Sequence, residues 1–257
     1  MQARTLPAQR GWAWIIDGFA LWRRNPALVT FLVFGSSLTL LMVAAIPFIG
    51  QVIMFLVMPA LSLGIFNGCK AIAERRKAGP EILVSGFRQN LQEQVKIGGI
   101  YFIGSLIVLG LSTLFDAEVN SKLFKAVMGK TSWGETLEDP SFIIALLVST
   151  VGSTPLMMAY WFAPLLAGWG RIPATKALFF SFVACLRNWR AFLAFGLGLL
   201  GVALGAGILV SVLELVSPLL SLLPALAFPI VFIPVVFASF YANALDVFER
   251  IGPDDAS

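Results

Sequence analysis

A chain of 257 residues that is 58% hydrophobic and only 12% charged, with a mean hydropathy of +0.88, lacks the polar surface a water-soluble globule needs, so the expected class is integral membrane. Its net charge of +4 sits in short basic clusters between apolar runs, which fits membrane topology and argues against nucleic acid as a partner. There is no histidine, and the two cysteines, Cys69 and Cys185, are too few for a disulfide framework and too far apart for a metal spacing, so neither a metal nor any other cofactor is expected.

The amino-terminal MQARTLPAQR is polar, and the WAWIIDGFALWRR region after it is too short and too interrupted for a signal-peptide core, so the segment is expected to be retained. Trp12, Ile15, Ile16, Phe19 and Trp22 recur at helical spacing, with Asp17, Arg23 and Arg24 elsewhere around the helix. Such a helix is expected to lie in the membrane interface with its aromatic side toward lipid.

Six spans follow, at roughly 27–46, 48–69, 97–115, 143–169, 191–213 and 218–245, against the ~20 apolar residues that cross a bilayer. The first two are separated only by a tight turn with Pro47 and Gly50 as breakers, so they are expected to be antiparallel neighbours. Between the third and fourth lies a loop rich in acids from Asp116 to Asp139, with no calcium-loop spacing, expected to be an ordinary solvated connection. The fourth span is long: Ser141 to Trp169 as straight helix would measure roughly 42 Å against a core of about 30 Å, so a tilt or a kink at Pro155 is expected. The last span carries Pro218, Pro224, Pro229 and Pro234 and is expected to bend.

Of the 18 lysines and arginines, 15 fall on one side of this arrangement; Lys122, Lys125 and Lys130 share the acidic loop on the other. By the positive-inside rule both termini should be cytoplasmic, and two crossings over 143–169 would place Arg171, Lys176, Arg187 and Arg190 on the wrong side. The expected fold is therefore all-α, a membrane-embedded bundle of about six spans in three pairs, with amphipathic helices on the cytoplasmic side.

A small residue followed by phenylalanine recurs before the first, third and fifth spans, as Gly18-Phe19, Gly86-Phe87 and Ser181-Phe182. The following spans contain Met58-Pro59, Ala163-Pro164 and Ile233-Pro234. The pattern divides one membrane domain into three repeats, 11–77, 81–173 and 174–250, each a surface helix, a span and a proline-bearing span.

Arg23, Arg24 and Asn25 stand at the mouth of the first span; Arg187, Asn188 and Arg190 stand at the mouth of the fifth. As anchors they would simply touch anionic headgroups. As sites they would hold a phosphate, since arginine grips it bidentately and asparagine adds donors. The run GLGLLG at 196–201 matches a dinucleotide-binding fingerprint only literally, because no strand precedes it. Gly201 and Gly205, four apart, instead read as a helix-packing pair, within the chain or against a second copy or a membrane-protein partner. Polar residues inside the spans are sparse: Gln51, Asn67, Glu214, Asn243 and Asp246, most near a span end. With no nucleophile beside a base and no clustered carboxylates within a span, no enzyme is expected.

Leu6-Pro7-Ala8, Gly11, Trp14, Gly18, Arg23-Arg24 and Pro26, then Ile46-Pro47, Gly50, Met58-Pro59-Ala60 and Gly64, resemble an uncharacterised family of bacterial multi-pass inner-membrane proteins. More loosely, the paired spans are similar to the membrane region attached to some glycerophosphodiester phosphodiesterases, whose catalytic barrel is absent, so no catalytic residue carries over. The resemblance implies the compartment, the bacterial inner membrane, and no agreed activity; the function expected is that of a non-enzymatic protein that engages phospholipid in envelope organisation. A permease for a small or amphipathic solute, moving on the prolines of the last span, is the alternative.

Overall fold

The computed structural model of the chain describes residues 3–128 and 130–248. Its helices run α1 (Gln9–Arg24), α2 (Pro26–Ala44), α3 (Gly50–Ala73), a 3₁₀ segment (Pro80–Arg88), α4 (Leu91–Thr113), α5 (Val119–Val127), α6 (Trp133–Leu137), α7 (Pro140–Trp161), α8 (Ala163–Gly168), α9 (Ala174–Arg187), α10 (Trp189–Val216) and α11 (Pro218–Val247). Six of the helical stretches are long and apolar enough to cross a membrane, with α7 and α8 together forming the fourth. The fold is an all-α transmembrane bundle, and the spans fall within a few residues of their expected limits.

Local chemistry accounts for the element ends. Asn25 caps α2, its Oδ1 accepting from Leu28 N at 3.1 Å, and Pro26 occupies the first helical position, where no backbone donor is needed. The turn to α3 passes through Phe48 at φ 64, and Gly50 follows where a Cβ would overlap the Val43 carbonyl oxygen. Asp139 caps α7 through Ser141 N, again with proline next in line.

The fourth span does not break at Pro155, which α7 absorbs. It breaks at Phe162, just before Pro164. There the Ser181 hydroxyl of α9 inserts into the helix ladder, accepting from Phe162 N at 2.8 Å and donating to Met158 O at 2.7 Å. The acidic loop also departs from expectation, being mostly helical. Lys122 on α5 bridges Asp116 at 2.8 Å and Asp139 at 2.7 Å, and Val119 packs with Phe142 and Ala145 beneath.

Consecutive spans pack as pairs: α2 with α3, α4 with α7, α10 with α11. The pairs are joined by α3 against α4 and by α11 against α2, so that in space the spans run α7, α4, α3, α2, α11, α10. The short helices dock across these pairs: α1 lies on α10 and α11, the 3₁₀ segment on α3 and α2, and α9 on α7, α8 and α4. Small residues permit the close approach. A Cβ at Gly18 would overlap Ser239 of α11, and one at Gly86 would overlap the Ala60 carbonyl oxygen of α3.

The core lies in the half of the bundle where the short helices dock, around Trp14, Leu32, Leu63, Phe162, Leu165 and Leu166. In the opposite half the spans bury little: past Ser36 in α2 and past Phe195 in α10 no residue is buried. Exposed leucine, isoleucine and valine there match a lipid solvent, against which they carry no penalty.

Candidate functional site

Helix α1 carries three chemically distinct faces. Gly11, Trp14, Ile15, Gly18 and Leu21 are buried against the bundle. Trp12, Ile16 and Phe19 remain exposed, an apolar strip suited to lipid. Arg10, Asp17 and Arg24, seven residues apart, form the polar strip. The expected single aromatic face is thereby corrected: Ile15 turns into the protein, and Trp14, outside the expected set, is fully buried. Docking selects the glycine-containing side because backbone can approach backbone only there.

The polar strip borders a groove of about 410 Å³ between α1 and the end of α11, lined by Arg10, Asp17, Arg24, Tyr241 and Asp246. Asp246 Oδ2 accepts from Arg10 Nε at 2.6 Å and from Trp14 Nε1 at 2.8 Å. The hydrogen bond to Asp246 raises the Arg10 pKa above its already high ordinary value, so this cation is held in place and occupied. Arg24, in contrast, forms no ion pair among the described residues.

The two arginine clusters are not brought together. Gly11 meets Ala191 at the start of α10, near Arg187 and Arg190, whereas Arg23 and Arg24 end α1 about 20 Å further along the helix. Arg23 lies 5.8 Å from the Phe19 ring centroid and Arg190 lies 5.4 Å from that of Trp189. Arg187 donates to Thr5 Oγ1 at 3.2 Å. All four arginines are exposed, and none pairs with a carboxylate among the described residues.

Both asparagines have structural roles, and that of Asn188 is incompatible with the expected headgroup binding. Asn25 Oδ1 is the α2 cap. Asn188 is buried, its Nδ2 donating to Arg4 O and Ala184 O and its Oδ1 accepting from Leu6 N, which straps the amino-terminal segment to the junction of α9 and α10. With both donors committed it has nothing to offer a ligand.

For the glycine pair, packing within the chain is ruled out. A Cβ on Gly201 or Gly205 would meet nothing within 4 Å, so neither glycine packs the chain's own helices. The packing glycines of α10's neighbourhood are Gly11 and Gly198, the latter against Ile15 and Trp12. Of the sparse span polars, Asn67 bonds Ser85 and Trp169, Asn243 is buried without a side-chain partner, and Gln51 and Glu214 are exposed.

A second concavity, about 460 Å³, opens between α7 and α10. Its back wall is aromatic: Trp161 stacks edge-on against Phe192 at 5.3 Å and Phe240 at 4.6 Å, and Phe195 lies 6.0 Å from Phe240. Thr154 and Cys185 are its polar lining residues, and burial pushes the Cys185 thiol pKa up, keeping it neutral. Nothing in the sequence pattern marked this cleft, because its walls come from residues 154–161, 189–199 and 240, and aromatics in any span read as generic lipid-facing or core positions.

No protein-family profile matches the chain, and no solved structure matches it. A relative described as a probable inner membrane protein of Burkholderia thailandensis is 32% identical over 249 residues, covering 95% of this chain and 92% of the relative.

Proposed function

Because the chain belongs to the same family as that Burkholderia inner-membrane protein, we propose that this six-span inner-membrane protein engages phospholipid, without catalysis, in the organisation of the cell envelope. The observation that carries the reading is the set Arg23, Arg24, Arg187 and Arg190: exposed cations that pair with no carboxylate among the described residues, with Arg23 beside Phe19 of the apolar strip and Arg190 beside the exposed Trp189. Arginine beside interfacial aromatics is the arrangement that a phosphodiester headgroup with an attached chain would contact. Both termini are read as cytoplasmic, on the distribution of 15 of the 18 basic residues. Arg250, one of the 15, lies outside the described residues.

The repeat reading of 11–77, 81–173 and 174–250 is supported by the docking order, though residues 249 and 250 lie outside the described part. Each short helix rests on the span pair of a different unit, α1 on the third, the 3₁₀ segment on the first and α9 on the second. Such an exchange makes the three units mutually dependent. The looser likeness to the membrane region of some glycerophosphodiester phosphodiesterases rests on the paired spans alone.

The test is mass spectrometry of the intact protein released from its own membrane in mild detergent. A defined phospholipid retained at fixed stoichiometry, and lost when Arg23, Arg24, Arg187 and Arg190 are changed to glutamine, is expected. A bare protein, or a lipid mixture matching the bulk membrane, would make the arginines plain anchors. A permease is the alternative, and the cleft between α7 and α10 gives it little support for a polar cargo, since it offers only Thr154 and Cys185.

A further inference from the structure

The three span pairs meet at three seams, and the seams differ. The first is closed by α3 against α4 and the second by α11 against α2, but no comparable packing joins α7 to α10. The opening there is not filled by side chains: Gly196 faces it, and a Cβ at that position would meet nothing within 4 Å. What covers it in a bilayer is decided by the cleft's chemistry and its length.

The walls are apolar and rich in aromatic side chains, so the occupant is a hydrocarbon. Along α10 the cleft runs from Trp189 to Leu199, about 15 Å of helix, which is half of the ~30 Å hydrocarbon core and therefore the depth of one leaflet. At the mouth stands Trp189, half exposed, with the Arg190 guanidinium 5.4 Å from its ring centroid and no carboxylate beside it among the described residues. A hydrocarbon one leaflet long with an anion at its end is one chain of a phospholipid.

We propose that the cleft between α7 and α10 binds one acyl chain of a phospholipid from the leaflet on the arginine-bearing side, with Arg190 holding its phosphate. This rests on the phospholipid reading above and narrows it to one seam. The back wall of Trp161, Phe192 and Phe240 then limits how far the chain can enter, and Cys185 of the short helix α9 lines the cleft as well. The site differs from the other apolar concavity on α10, about 390 Å³ between Ala203 and Leu215, in having aromatic walls and a cation at its end.

The experiment reconstitutes the full chain in vesicles of phosphatidylethanolamine and phosphatidylglycerol containing a trace of phosphatidylglycerol with a photoactivatable group on one acyl chain. Labelling within 154–161 and 189–199 is expected to exceed that of the outer half of α10, 204–215, at least fivefold. Gly196→Phe, which fills open space, and Leu193→Trp, as an independent second block, are each expected to bring that ratio to near one without changing labelling of 204–215. Arg190→Gln is expected to lower it several-fold, and a diacylglycerol probe with the same chain is expected to label the cleft several-fold less. A ratio near one in the unaltered protein, or one unmoved by both blocking variants, overturns the cleft as a site. Equal labelling by the diacylglycerol overturns the phosphate contact. Retained phospholipid in the mass spectra together with bulk-like labelling would sink the cleft alone, whereas bare protein with bulk-like labelling would sink the phospholipid reading itself.

Discussion

One oxygen of Asp246 joins the first and last helices, receiving Arg10 Nε at 2.6 Å and Trp14 Nε1 at 2.8 Å. Removing it leaves Arg10 with water and Asp17, 3.7 Å away, at small cost, but strands the indole N–H of a tryptophan that is 0% exposed. Asp246→Ala is therefore expected to destabilise the protein by about 1–3 kcal/mol, the cost of a buried unsatisfied donor, read as a lowered melting temperature in detergent. Arg10→Gln should cost less, since it leaves the Trp14 bond intact. Glycines divide in the same way. Gly86→Ala would force a methyl into the Ala60 carbonyl and is expected to lower the folded yield severely. Gly205→Ala meets open space and should stay within about 1 kcal/mol of the unaltered protein, with helix propensity in its favour. A large loss with Gly205→Ala would instead point to a second copy or a partner helix packed on that face.

Among elements, the connection between α4 and α7 is the one with a pH dependence that can be worked out. Lys122 lies between Asp116 and Asp139, and the hydrogen bond from Lys122 holds the Asp139 carboxyl below its ordinary value of 3.8. A carboxylate with a depressed pKa contributes stability that is fully present above its unfolded value and is lost as the pH falls through the folded one. Protection from hydrogen exchange over 116–139, taken relative to the intrinsic rate at each pH, is thus expected to be high and constant near neutrality, then to fall below about pH 4. Lys122→Gln should lower it already at neutral pH and flatten the profile. An unaltered profile in that variant would show that Val119, Phe142 and Ala145 hold the segment without the charges. Helix α9 is the other element whose role is local: its Ser181 hydroxyl supplies the partners that Phe162 N and Met158 O lose when the fourth span breaks, so these two groups stay paired across the break.

For the whole molecule, orientation is the first prediction. Reporters fused after residue 78, between α3 and the 3₁₀ segment, are expected to report the cytoplasm, and reporters inserted near residue 131, between α5 and α6, the opposite side. The reverse result would mean that the basic residues do not set the topology, and would place the arginine-bearing leaflet outside. The six spans, the tight turn after α2 and the all-α class were legible in the sequence, because each depends on a run of apolar residues long enough to cross a bilayer and on prolines and glycines that act within a few positions. The Asn25 cap was equally open to reading, since Asn-Pro before an apolar run is a local signal. What only the tertiary structure decided was which faces meet. That Asn188 would strap the amino terminus, that Gly11 and Gly18 rather than Gly201 and Gly205 would pack within the chain, that the fourth span would break at Phe162, and that one seam of three would stay open all depend on partners far away in sequence. In lipid the hydrophobic effect does not select between apolar faces, so composition brings a helix into the membrane, while steric fit and hydrogen bonding between distant residues choose its neighbours.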